Sequence, residues 1–122
     1  MATPQGVAHV EAALELAARA ADRISKLGGV DEAWRTGAID RLSATTDLLR
    51  GTTDRFYLKT RVCLPFARRC EEEARVLDGL LAGPSAQDTS DLQPRLAAAM
   101  EALVKAARTL DERSLMQGMA IT

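Results

Sequence analysis

Residues 7–24 read VAHVEAALELAARAADRI, with apolar side chains at Val7, Val10, Leu14, Ala17, Ala21 and Ile24. Steps of three and four return to one side of a helix with 3.6 residues per turn, so this stretch predicts an amphipathic helix with one face committed to a core. Thr3 followed by Pro4 offers a cap and a first helical position, and Gly28-Gly29 closes the run. The first helix is therefore expected over about 4–27. Downstream, Asp31 is an N-cap candidate and Glu32 suits the positive end of a helix dipole. Trp34, Ala38, Leu42, Thr45, Thr46 and Leu49 then face one way, giving a second helix over 31–51.

The middle of the chain is harder to divide. Gly51-Thr-Thr-Asp54 resembles a break, yet Leu42, Leu49, Phe56, Cys63, Cys70 and Leu77 recur every seven residues straight through it. Either one bent rod or two helices sharing a register would give that phase. Pro65 cannot sit inside a helix without losing a hydrogen bond and clashing with the preceding turn. Segment 54–82 is therefore expected as a helix with a kink or restart near Leu64-Pro65, its regular part running from about 66. A reversal belongs between 51 and 65. Gly83-Pro84 ends this helix, Ser90-Asp-Leu-Gln93 has the form of a capping box, and Leu96, Met100, Leu103, Ala107, Leu110 and Ser114 continue the rhythm. The fourth helix is expected over 91–118. Four such segments with short connections predict an all-α fold, an antiparallel up-down-up-down four-helix bundle forming a single domain over 1–122.

Composition agrees with that reading. Of 122 residues, 22 are Ala and 16 Leu, against nine Val and Ile together, a stock rich in helix formers and poor in strand formers. The formal net charge of −1 gives no general field for attracting nucleic acid or an anionic bilayer. No apolar run approaches the roughly 18–20 residues of a membrane span. The stretch Met1-Ala-Thr-Pro4 shows no targeting pattern, which suggests a cytoplasmic chain or one whose leader has been removed.

Candidate chemistry is sparse. His9 is the one imidazole, and a di-metal bundle needs Glu-x-x-His on two facing helices, so His9 reads as a surface or boundary residue. Cys63 and Cys70 lie about 10 Å apart if both are on one helix, too far for a disulfide, and read as small core residues. No nucleophile elbow and no phosphate-cradling loop is present, and neither catalytic residue, metal nor cofactor is expected. Trp34 is expected to fill one end of the core. The one uneven charge distribution is basic: Arg50, Arg55, Lys59, Arg61, Arg68 and Arg69 stand against Asp54 alone over 50–69. A solvated helix face with i,i+4 pairs such as Arg69 with Glu73 accounts for it, and so does a docking patch for an acidic protein surface. Nucleic acid fits less well, because Phe56 and Tyr57, the aromatic residues able to stack, fall within the bundle-forming rhythm.

Trp34 near the start of the second helix, Leu49-Arg50 fifteen residues later, the Val76-Leu77-Asp78 step in the third helix and a closing helix over 92–118 together resemble the PsbQ family of extrinsic photosystem II subunits. The likeness covers residues 34–118. It implies a non-catalytic four-helix bundle that docks on the lumenal face of photosystem II, peripheral to the thylakoid membrane and not inserted. Its partners there would be the photosystem II core and other extrinsic subunits, and it would stabilise the oxygen-evolving complex without binding its ions. Arg50 to Arg69 would be the face for acidic lumenal loops. The other reading of the residues is a cytosolic helical-bundle adaptor that holds a partner helix in a groove.

Overall fold

The computed structural model describes residues 5–53, 63–82 and 89–121. It holds four helices: α1 (Gln5–Ser25), α2 (Glu32–Thr53), α3 (Leu64–Ala82) and α4 (Thr89–Ile121). No strand occurs among the described residues. The helices pack on one another around a shared core, so the chain is an all-α four-helix bundle.

Local chemistry explains most of the boundaries. At the end of α1, Lys26 N donates to Arg23 O at 3.1 Å and Leu27 N to Ile24 O at 3.2 Å, tightening the last turn. Gly29 then takes φ of 76°, which only glycine adopts without strain. Asp31 caps α2 as expected: its Oδ2 accepts from Trp34 N at 3.1 Å, and its carbonyl accepts from Arg35 N at 2.9 Å. Arg35 also reaches back, donating from Nη1 to the Ile24 carbonyl at 2.7 Å, so one α2 side chain closes the carbonyl end of α1.

Gly51-Thr-Thr is not a break but the last turn of α2, where the Thr52 and Thr53 hydroxyls donate to Leu49 O and Arg50 O, each at 2.7 Å. Pro65 is the second residue of α3, where its missing N–H is one of those a helix start leaves unused anyway. The helix-closing bond runs from Ala67 N to Cys63 O at 3.0 Å. Leu64–Pro65 is thus a helix start. The expected helical stretch 54–62 and the site of the reversal lie outside the described residues. Helix α4 begins before the expected cap, with Thr89 and Ser90 already helical and Pro94 inside the helix. Proline there leaves the Ser90 carbonyl without its usual donor but, so near the end, does not stop the helix.

The arrangement around the bundle is not the chain order. Helix α1 packs against α2 and α3, and α4 against α3 and α2, which leaves α2 and α3 on a diagonal. Cross-links set the directions. His9 pairs with Glu71, and Arg19 and Arg23 with Asp78, so α1 and α3 run the same way. Arg41 pairs with Glu101, while Thr45, Leu48, Val104 and Arg108 line one groove, so α2 and α4 also run the same way. In the expected scheme each helix lies antiparallel beside its chain neighbours. Here two of the four adjoining pairs run the same way, and the molecule is two hairpins, α1–α2 and α3–α4, laid side by side.

Small residues make that possible. Ala13, Ala17 and Ala20 of α1 and Ala67, Cys70 and Ala74 of α3 are buried, and such side chains allow axes to approach toward the close end of the roughly 8–10 Å range. Leu42, Leu49, Leu77, Leu96, Leu103 and Leu110 fill the space between the hairpins. Enlarging a seam residue should therefore strain the bundle. Ala74→Leu is expected to lower stability by about 1–3 kcal/mol in urea denaturation followed by circular dichroism, whereas Ala8→Leu on the exposed side of α1 should stay within about 0.5 kcal/mol of the parent.

Candidate interaction surface

Polar groups cluster in three cross-helix clasps. In the first, His9 Nδ1 of α1 lies 2.6 Å from Glu71 Oε1 of α3 and donates to it when that nitrogen carries the proton. Arg75 donates to Glu71 Oε2 from Nε at 2.9 Å and Nη2 at 2.6 Å. The His9 ring, and after it Arg75, hold the Glu71 carboxyl below the usual glutamate range. In the second clasp Asp78 of α3 receives two α1 arginines, Arg23 at 3.2 Å and Arg19 at 3.7 Å, and Arg23 also donates to the Asp78 carbonyl at 3.5 Å. The third is Arg41 of α2 with Glu101 of α4. All three tie together helices that run parallel, whose side-by-side dipoles repel.

His9 does sit at a boundary, with its side chain 30% exposed, and its partner is on another helix. Cys63 and Cys70 form no disulfide, and both thiols are fully buried. Burial pushes the Cys70 thiol up to about 12. Trp34 is half-buried against the core at the hairpin end.

The basic residues of the sequence divide. Arg55, Lys59 and Arg61 lie outside the described residues. Arg50, near the end of α2, is exposed and donates to Asp47 at 3.3 Å. Arg68 and Arg69 project from the first turns of α3 in different directions. Arg68 joins His9, Glu71, Glu72 and Arg75 around a shallow hollow, whereas Arg69 borders the groove toward α4 and pairs with Glu73 at 3.5 Å, the i,i+4 pair expected. Arg50 lies on α2, the helix diagonal to the α3 that carries Arg68 and Arg69.

Concave surfaces flank α4, and the most voluminous among the described residues, about 480 Å³, is an open hollow on α4 itself past Glu101, Lys105, Arg108 and Glu112. One groove of about 440 Å³ runs between α3 and α4 past Phe66, Arg69, Glu73, Ala102, Lys105 and Thr109. Arg113 lies over the Phe66 ring, 5.4 Å from its centre. A second, of about 240 Å³, runs between α2 and α4 past Arg41, Leu48, Val104 and Arg108. Among the described residues no buried side-chain nitrogen or oxygen lacks a partner, and no three metal-binding side chains are grouped. No helix among them is long and apolar enough to cross a membrane. Sequence reading missed the grooves because they arise where α4 meets two helices, a neighbourhood that periodicity does not encode. No family model, curated protein or solved structure matches the chain.

Two measurements check this description. Because the folded-state pKa of Glu71 is depressed, its contribution to stability is present above the unfolded value near pH 4.3 and fades as pH falls through the folded value. Glu71→Gln should therefore lose most relative to the parent at neutral pH and converge with it at low pH in denaturation curves. Both thiols should resist a thiol reagent at pH 8 in buffer and react fully once denaturant unfolds the chain.

Proposed function

We propose that the chain is a non-catalytic docking subunit that meets a larger protein complex through its exterior. The observation that carries this reading is the use of polar groups. The acids and bases at helix junctions are spent on one another, the core is filled by aliphatic and small side chains, and the concave surface lies in open grooves along α4. Such a surface suits a protein partner better than a small substrate, which calls for a deeper pocket with a few convergent polar groups.

The resemblance to the PsbQ family names a host for that surface, the lumenal side of photosystem II with its core and extrinsic subunits as partners. In the bundle, the residues that carry the resemblance are engaged in the fold apart from the exposed Val76: Trp34 and Leu49 with the core, Arg50 with Asp47, Leu77 buried, Asp78 clasped by Arg19 and Arg23. They support the bundle, and the exposed arginines remain for docking. A chain with this role would lie in the thylakoid lumen, peripheral to the membrane. The second reading, a cytosolic adaptor, is favoured by the groove between α3 and α4, whose Phe66, Ala102 and Ala106 offer apolar surface to a partner helix.

Purified chain mixed with photosystem II membranes at low salt should co-sediment and be released near 1 M salt, because exposed ion pairs are screened. Failure to co-sediment rejects the photosystem II host. Salt-dependent retardation of DNA or RNA in a gel would reject the protein-docking reading in favour of a nucleic-acid one.

A further inference from the structure

The two hairpins are related by a sideways step. Helix α1 lies beside α3 in the same direction, and α2 beside α4 in the same direction. A contact of this kind joins two different faces and does not close on itself. Stacks of helical hairpins built this way continue until a polar face caps them.

The outer side of α3–α4 is polar at its rim but open at its centre, and so caps the stack only in part. On the 3.6-residue repeat, the α3 positions turned away from α1 are Arg69, Glu73 and Val76, and Val76 is 54% exposed. Beside them lies the groove of about 440 Å³, with Phe66, Ala102 and Ala106 as its apolar part. Its rim carries Arg69, Lys105 and Arg113 against Glu73, and Glu73 is matched by Arg69. The rim is therefore net positive.

The opposite end of the stack has the other sign. The α1 positions turned away from α3 include Glu11, Leu14, Ala18 and Asp22, with Glu15 at the corner. Asp22 is matched by Lys26 at 3.2 Å, while Glu11 and Glu15 are exposed and make no ion pair among the described residues. On α2 the acids Glu32 and Asp47 are each matched by an arginine of their own helix, leaving the balance of this face acidic.

We infer that a second copy of the chain docks head to tail: the acidic outer face of its α1–α2 hairpin seats on the basic groove of α3–α4 and repeats the step already made inside each molecule. The inference deepens the docking reading by naming one partner, and it rests on that reading. A face two helices wide and about 30 Å long falls somewhat short of the roughly 800 Å² per partner of a standard interface. The association is therefore weak, reversible and sensitive to salt.

Sedimentation velocity from 10 to 500 µM in low-salt buffer tests it. The parent chain should form dimers and longer species as concentration rises, and lose them at about 0.5 M salt. Lys105→Glu reverses charge at the groove and leaves the acidic face intact, whereas Glu11→Gln neutralises the acidic face and leaves the groove intact, so the two altered faces do not complement each other. Both sites are exposed, and unchanged melting curves would verify folding. Each variant alone should associate at least five-fold more weakly. An equimolar mixture should form a 1:1 dimer and nothing larger, because each partner then supplies one intact face. A parent chain that stays monomeric at 500 µM, variants that associate as the parent does, or a mixture no stronger than its components would overturn the inference. A monomeric chain that still binds its host complex would leave the docking reading standing.

Discussion

The bundle depends on the close approach of two helices that run in the same direction. Antiparallel neighbours gain from opposed dipoles, whereas α1 and α3 do not, and the shortfall has to be met at their contact. It is met twice over. Alanine and cysteine side chains remove the bulk that would hold the axes apart, and Glu71 and Asp78 bring opposite charges across the junction at either end. Each clasp sits at the edge of the seam with some exposure to water, where an ion pair carries little desolvation cost but also modest strength. The packing does most of the stabilising, and the charges fix the register.

That register determines the rest of the architecture. Once α3 lies beside α1, the space left for α4 is the one between α3 and α2, and α2 and α3 fall on the diagonal. The leucines of α2, α3 and α4 then converge between the hairpins. The grooves beside α4 are the residue of this arrangement: at 102, 105 and 109 the helix presents alanine, lysine and threonine to the outside instead of another bulky apolar layer.

Much of the fold was legible in the sequence. In α2 the expected positions Ala38, Leu42, Thr45, Thr46 and Leu49 are buried, Trp34 is half-buried and Thr52 is buried beyond them, and in α4 Leu96, Met100, Leu103, Ala107, Leu110 and Ser114 are all inside. In α1 the expected stripe lies about 60° from the buried one, at roughly 100° per residue. Val10, Ala17 and Ile24 are buried, but so are Ala13, Leu16 and Ala20, while Val7, Leu14 and Ala21 lie at the margin. The error has a physical source: leucine and valine mark a core more loudly than alanine, yet the face that must approach α3 most closely is the one that carries alanine. Neighbour order was not legible, because a repeat of 3.6 says that a helix has an inside without saying which helix lies there. For the same reason the Arg69–Glu73 pair, four residues apart, could be read, whereas His9 with Glu71, sixty-two apart, could not.

The threonines of α2 carry one more implication. Thr45, Thr46 and Thr52 are buried, yet each hydroxyl donates to a carbonyl of its own helix three or four residues back, at 2.7 to 2.8 Å. Polar atoms satisfied in this way travel with the backbone. A small slide or roll of α2 against its neighbours strands no buried donor, so along most of its length this rod is held by shape rather than by directional bonds. Its polar ties to other helices among the described residues are Arg35 to the Ile24 carbonyl and Arg41 to Glu101. The bundle is thus built with one lubricated wall, opposite the wall where charge and close packing lock α1 to α3.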